Sequence, residues 1–234
     1  MSFFYYIYRF LKMKCTEDLC ILNERDILGE IMIEIRYATI EDLSRVCKIQ
    51  DRAHEVLTYH EWLVFVEPTE LKRAIMNQHM AVALVEGQIA GFRTLEISET
   101  DYLGKYNNLA NHEDMIYSDL SVVDPDYRGM GIQKLMGEWL FERIEQRYVF
   151  ATVHPDNIAS LKDKFHLGMY IIAFDEVYPG KKRFVFFKDM QQERIAKGAA
   201  TVMVPLTFDD SFAKLIDDGY VGIAIDEDAL IFSL

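Results

Sequence analysis

"VVDPDYRGMGIQKLMGEWL", residues 122–140, changes character halfway along. A β-branched run meets Asp124-Pro125, then Gly129 and Gly131, then a helical pattern carrying Leu135, Met136, Trp139 and Leu140. A strand, a glycine turn and a helix in that order build an anion cradle. The first-turn amides of the helix lack intrahelical acceptors, and the helix dipole favours negative charge there. Glycines, having no Cβ, let the backbone come close to a ligand. Alone the turn is a weak signal, because many strand–helix connections carry glycines. Its neighbours decide what it is worth.

Upstream, residues 32–38 ("MIEIRYA") alternate like a strand, and Thr39 caps a helix with Asp42 at its third position. A second helical stretch is predicted over about 53–77, with a break near Glu67-Pro68. Residues 80–86 and 88–97 flank Gly87 as a hairpin, and an acidic, Asn-rich loop over 98–114 leads into "MIYSDLSVV". Downstream, a helix is predicted over 131–147, then the strand "YVFATV" (148–153), the turn "HPDN", and a helix ending at Gly168. A second hairpin turns at Pro179-Gly180.

The chain has 234 residues, half of them hydrophobic, and a formal net charge of −13. That size and apolar content suit one large domain with an appendage. The acidic balance argues against a nucleic-acid partner, since phosphate neutralisation needs clustered Lys and Arg. It suits small-molecule work, cationic amines included, or simple solubility. Cys15, Cys20 and Cys47 lack paired metal spacing and suit a reducing, cytoplasmic setting. No run reaches the roughly 18 apolar residues of a membrane span, so no membrane partner is expected.

Three segments follow. Residues 1–31 form an N-terminal extension with two readings. One is an upstream mis-start before Met32, since Gly29-Glu30 can be encoded by a purine-rich stretch like a ribosome-binding site. The other is an amphipathic helix docking Phe3, Tyr6 and Phe10. Residues 32–189 form the main α/β domain. Residues 190–234 form a small appendage with eight acidic residues against three basic ones, read as strand, helix and a final strand pair.

The ordered pattern over about 33–189 resembles the GNAT superfamily of acetyl-CoA-dependent N-acetyltransferases, of bacterial type. Its signature is Arg or Gln, two residues, Gly, one residue, then Gly or Ala; here it reads Arg128-Gly129-Met130-Gly131-Ile132-Gln133. "VVDPDYRG", Asn157 after the next strand, Gly168 eleven residues further on, and the two hairpins agree with it. The resemblance implies an α/β GNAT fold: a mixed central sheet with flanking helices, here with the C-terminal α/β appendage. It implies acetyl-CoA as co-substrate and no metal. Backbone amides from Gly129 to Gln133, with Arg128, would meet the pyrophosphate. Ser121, Val122 and Val123 would splay from the strand at 148–153 and offer backbone groups to pantetheine, and Asn157 would contribute to the coenzyme site. The acceptor, a small-molecule or peptide amine, would attack directly, and no nucleophile elbow is present.

Two departures stand out. Gln133 occupies the final small-residue slot, where it would crowd the cradle, point away, or donate to a phosphate. Lys164 stands seven residues after Asn157, where many members of the superfamily carry a Tyr that protonates the leaving thiolate. It is read mainly as a solvated helix lysine, with proton donation as the alternative. For a base, Asp119 in "YSDLS" is the candidate; strand alternation predicts Tyr117, Asp119 and Ser121 on one face. Positioning substrate is its other reading. Glu55, Tyr59, His60 and Trp62 are candidates for acceptor contact, His154 for a local bond, and Trp139 and Phe141 for the core. Three functions stay open: N-acetyl transfer, a coenzyme-binding module without turnover, and transfer of another acyl group. The acidic tail has three open roles: covering the pocket, extending the sheet or making a homodimer contact.

Overall fold

The computed structural model describes residues 12–16, 19–26, 29–97, 103–109, 114–193, 195, 198, 200–206, 211–227 and 229–234, with only the backbone described before residue 31. Phe3, Tyr6 and Phe10, the residues of the expected docking helix, lie outside this set. Strands β1 (Lys12–Thr16), β2 (Leu19–Asp26) and β3 (Gly29–Tyr37) open the sheet. A 3₁₀ turn at Ile40–Asp42 leads into α1 (Leu43–Glu55), capped as expected by the reciprocal Thr39–Asp42 box. Helix α2 (Pro68–Met76) starts with proline in its first turn, where a missing N–H costs nothing.

Of the helical stretch expected over 53–77, only the end of α1 and the α2 part from Pro68 are α-helical; residues 56–67, expected to be helical, form a connection with a single 3₁₀ turn at His60–Trp62. Gln50 holds this connection: its Nε2 donates to the Val66 carbonyl at 2.9 Å, and its Oε1 accepts from the Val66 amide at 3.1 Å. Then come β4 (Met80–Val85), β5 (Gln88–Glu96), β6 (Met115–Val123), α3 (Ile132–Phe141), β7 (Tyr148–Val153), α4 (Ile158–His166), β8 (Tyr170–Tyr178) and β9 (Lys181–Asp189). Helix α3 is shorter than its predicted span of 131–147. Arg143 ends it by donating to the Trp139 carbonyl at 2.9 Å and laying its guanidinium over the Trp139 ring.

Among the described residues one mixed sheet of twelve strands results, in the order β1-β2-β3-β4-β5-β6-β7-β9-β8-β11-β12-β10, where β10 (Thr201–Pro205), β11 (Val221–Asp226) and β12 (Ala229–Ser233) are the last three strands. All neighbouring pairs are antiparallel except β6 and β7. Alternation along β4 shows the layering. Met80, Val82 and Leu84 point into the core beneath α1 and α2, whereas Ala81, Ala83 and Val85 point towards α3 and α4. Helix α4 ends in a full Schellman motif: the Met169 amide donates to the Lys164 carbonyl and the Gly168 amide to that of Phe165, with Gly168 at φ +75°.

The C-terminal segment extends the sheet. Strand β11 pairs with β8 at Gly222 and Ile171, and Phe212 of α5 (Ser211–Asp217) packs against Phe174, Phe184 and Phe232. Phe212, Leu230 and Phe232 are fully buried in the same cluster as α3 and α4. Phe212→Ala is accordingly expected to destabilise the whole chain by about 3 kcal/mol or more. In a urea melt followed by tryptophan fluorescence, one cooperative transition should move to lower denaturant, rather than a new early transition splitting off.

Candidate active site

The parallel ladder between β6 and β7 lasts from Met115–Tyr148 to Tyr117–Phe150 and then stops. Beyond it β6 stays bonded to β5, through Ser121, Val122 and Val123, while β7 stays bonded to β9. The strands part into a fork, as expected for Ser121 to Val123. The inner-edge backbone groups of β6 beyond Tyr117 face this gap.

At the mouth of the fork β6 carries one residue too many. Arg93 pairs with Ser121 and Leu95 with Ser118, so Thr94 faces both Asp119 and Leu120. The Thr94 hydroxyl serves both: it accepts from the Leu120 amide at 3.0 Å and donates to Asp119 Oδ2 at 3.2 Å. This bulge breaks the expected common face of Tyr117, Asp119 and Ser121: Tyr117 and Asp119 still line one cleft, but the extra residue sends Ser121 to the other side. Tyr117 stacks on Phe150, while Leu120 and Val122 point into the α1/α2 core. Ser121, lying between those two, turns to the opposite face, where its hydroxyl is buried without a partner among the described residues.

Asp119 opens into a cleft lined also by Glu96, Leu103, Tyr117, Ser118, Ala151, Thr152 and Tyr178. Asp119 is exposed at the cleft wall, though protein atoms crowd around it. That burial and the Glu96 charge push its pKa up to about 6, against the Thr94 hydrogen bond and the Lys164 charge. An aspartate of that kind is half-ionised just below neutrality and can accept a proton from a substrate.

The glycine turn lies at the start of α3. Gly129 and Gly131 hold φ +83° and +73°, and Gly131 is the N-cap residue. Open space surrounds the positions a Cβ would take on both glycines. Among the described residues the amides of Gly129, Met130, Gly131, Ile132 and Gln133 make no turn or cap bond to a backbone carbonyl. This donor set and the open space fit an anionic ligand. Arg128 is exposed beside it, and Gln133 is half-buried in the first turn. The approach is braced by buried Asp124, whose carboxylate takes Arg45 at 2.8 Å and Arg52 at 3.4 Å.

Beneath the fork, on the α3/α4 side, lies a charge cluster. Arg93 is fully buried; its Nη1 donates to Asp163 at 3.0 Å and to the Gln133 carbonyl at 3.2 Å, and its Nη2 to Ser118 Oγ at 2.8 Å. One guanidinium thus ties the first turn of α3 to α4 and β6. Gly137 makes room for it, since a Cβ there would stand 2.7 Å from Arg93 Nη1 and 2.7 Å from Leu167 Cδ1. Lys164 donates to Asp163 at 3.1 Å and is only 3% exposed, so the expected solvated helix lysine is a buried one. Burial and Arg93 lower its pKa to about 8, with Asp163 and Asp119 opposing. For Asp163, burial is outweighed by Lys164 and Arg93, which hold its carboxyl below the ordinary range.

The remaining expected residues sort plainly. Asn157 caps α4, its Oδ1 accepting from the Ser160 amide at 3.1 Å. His154 bonds locally, its Nδ1 accepting from the Asp156 amide. Trp139 and Phe141 are core. Glu55, Tyr59, His60 and Trp62 are not among the residues lining the Asp119 cleft; His60 stacks on His54, and Tyr59 packs on Trp62. The cleft instead takes Glu96, Thr152 and Tyr178. Glu96 ends a recognisable strand and was the one with a signal, an acid in register with the "YSDLS" strand.

Among the described residues no group of three or more His, Cys, Asp or Glu assembles as a metal site, and no helix is long and apolar enough to cross a membrane. Residues 37–166 match the sequence pattern of the Acetyltransferase (GNAT) family. Among solved structures, 68% of the chain superposes on 97% of a GNAT-family acetyltransferase from Bacillus cereus, at 17% identity and TM-score 0.52. For yncA of Salmonella typhimurium, with its cofactor acetyl-CoA, the figures are 72%, 99%, 15% and 0.54. For the diaminobutyrate acetyltransferase EctA of Paenibacillus lautus, with L-2,4-diaminobutyric acid and coenzyme A, they are 70%, 98%, 18% and 0.51. At such identities the likeness is one of fold. No curated protein matches the chain.

Two stability outcomes follow from the buried charges. Gly137→Ala, which in an open helix would gain about 1 kcal/mol, should instead destabilise, and Arg93→Met should destabilise in urea melts by leaving Ser118 and the Gln133 carbonyl without their buried partner. Asp119 has a folded pKa above its unfolded one. Its favourable contribution is complete below the unfolded pKa near 3.8 and is lost as pH rises through about 6. Asp119→Asn should therefore match the parent in melting temperature near pH 4 and exceed it at pH 7.

Proposed function

The chain belongs to the Acetyltransferase (GNAT) family, and on that premise we propose that it moves an acetyl group from acetyl-CoA to a primary amine by direct attack in a ternary complex. The observation that carries this reading is the placement of Asp119 in a bulge at the mouth of the β6/β7 fork. Similarity in fold to structures holding acetyl-CoA or coenzyme A supports the choice of coenzyme.

When bound, acetyl-CoA supplies a thioester carbonyl that an amine can attack. The amides from Gly129 to Gln133 and the α3 dipole would hold its pyrophosphate, with Arg128 at the rim and the β7–α4 turn at Asn157 beside it. The inner edge of β6 at Ser121, Val122 and Val123 would pair with the amide-bearing arm of the coenzyme. An N–H from that edge would stabilise the charge developing on the carbonyl oxygen. Asp119 would take the proton that the attacking nitrogen loses, and Glu96, Tyr117 and Tyr178 would surround the acceptor. In this reading catalysis resides in residues 32–189, and residues 190–234 close the far edge of the sheet.

The test is release of free thiol, read with DTNB, across a panel of primary amines. Turnover on at least one amine is expected; binding of acetyl-CoA with no turnover on any acceptor would make the chain a coenzyme-binding module. Asp119→Asn should lower kcat/KM on that amine by about 100-fold and remove the acidic limb of its pH profile. A limb that survives the substitution removes Asp119 as the base. In calorimetric titration with acetyl-CoA, Gln133→Gly should bind within a few-fold of the parent. Much tighter binding would show the glutamine obstructing the cradle.

A further inference from the structure

Near the start of β9, Arg183 is buried without a counter-ion. It is 7% exposed, and among the described residues no carboxylate pairs with it; its one hydrogen bond there runs from Nη1 to the Lys182 carbonyl at 2.8 Å. Arg93, buried likewise, has Asp163 at 3.0 Å. Asp175 stands opposite Arg183 on β8, but that carboxylate is taken by the Tyr106 hydroxyl and the Glu176 amide, both at 2.8 Å. Glu61, on the connection between α1 and α2, faces the guanidinium, yet it lies 3.6 Å from His154 Nε2 and does not pair with Arg183. A guanidinium is costly to keep buried unless an anion meets it.

The register places Arg183 just beyond one wall of the Asp119 cleft. Thr152 of β7 pairs with Val185 of β9, and Arg183 is the next residue of β9 on that face, about 7 Å further along. Val185 clusters with Tyr117, a cleft residue, so this is the face onto which the cleft opens. Thr152 and Tyr178 form the near wall, with Oγ1 and Oη 3.3 Å apart. Glu96 and Asp119 stand at the other wall, on β5 and β6. Among the described residues that line the cleft there is no lysine or arginine, and Arg73 reaches Glu96 only at 4.0 Å. The cleft is therefore acidic on one side and has a buried cation behind the other. Strand β7 alone separates β6 from β9, which sets the two backbones about 10 Å apart.

We propose that the acceptor is an amine that also carries a carboxylate, an amino acid in chemical class, held with its reacting amine at Asp119 and its carboxylate on Arg183. A planar guanidinium takes a carboxylate through two parallel N–H bonds, and a site poor in water strengthens both. Glu96, beside Asp119, favours the nitrogen end there and repels the carboxylate, so the charges of the cleft fix one orientation. The spacing between the walls suits an amine on a side chain, several bonds from the carboxylate. This inference rests on the proposed reading of the cleft as the acceptor site and names what that site selects.

The experiment uses two matched pairs of probes, ornithine with putrescine and lysine with cadaverine, which differ within each pair by the carboxylate alone. In calorimetric titrations of the protein saturated with coenzyme A, the amino acid of at least one pair should bind about 10- to 100-fold more tightly than its diamine. Arg183→Met should abolish that preference by weakening the amino acid while the diamine stays within a few-fold of its parent value. A residue that only packs would weaken both alike. Equal affinities within both pairs, tighter binding of the diamines, or no binding of any probe overturns the proposal, and so does a preference that survives in Arg183→Met.

Should Arg183→Met fail to fold, the same comparison in Arg183→Gln decides, since that variant keeps a polar head and loses the charge. Thiol release separates this inference from the reading beneath it. Amino acids that bind with the expected preference but release no thiol uphold Arg183 and overturn the proposed transfer. Thiol release with the diamines and not with the amino acids upholds the transfer and overturns the role of Arg183.

Discussion

The parallel pairing of β6 with β7 is the constraint on which the site depends. Each strand has an antiparallel partner on its outer side, β5 for one and β9 for the other, so both are held without the ladder between them. The ladder can therefore end at Tyr117 and Phe150 without loosening the sheet. What remains is a row of backbone donors and acceptors facing a gap, which must find water or a ligand. Helix α3, the crossover between the two strands, brings its free N-terminal amides to the same region. Strand parting and the unbonded amides at the start of α3 are thus consequences of one topological choice.

The bulge at Asp119 adds the chemistry. In a regular strand, Tyr117, Asp119 and Ser121 would share a face, and the carboxylate would sit among hydroxyls. With the extra residue, Thr94 bonds both to the Leu120 amide and to the carboxylate, and Ser121 leaves for the other side. The carboxylate is left beside Glu96 above the sheet and within the field of Lys164 below it. Burial first, and then the charges of Glu96 and Glu70, outweigh the Thr94 hydrogen bond and the Lys164 charge and bring it near the pH at which a proton carrier is useful.

Much of the fold was legible in the sequence because it rests on local patterns. Alternation marked the strand over 32–38, Gly87 and Pro179-Gly180 marked two hairpins, the Thr39 box marked the entry to α1, and Gly129, Gly131 and Gly168 marked positions whose positive φ the structure uses. The glycine turn before α3 was legible for the same reason. The turn of Ser121 away from Asp119 was not, since a bulge leaves no mark in the residues of its own strand; it is a relation to β5. The state of Lys164 was hidden likewise. Its surroundings depend on Arg93, 70 residues before Asp163, and no helical period reports such a partner. The end of α3 at Phe141 was missed because a side chain, Arg143, does the capping. One signal was present and unused: a glycine at 137, in the middle of an apolar helix, where helix propensity argues against it.

That glycine has a consequence for descent. Position 137 can hold no side chain while position 93 holds a buried arginine, and the arginine loses its room as soon as 137 gains a methyl group. Neither position can drift alone. Among chains that share this arrangement, 93, 137 and 163 should be inherited as a block, with exchanges at one matched by exchanges at the others. A comparison of such chains would find this in the pairing of their substitutions, even where every position taken singly looks variable.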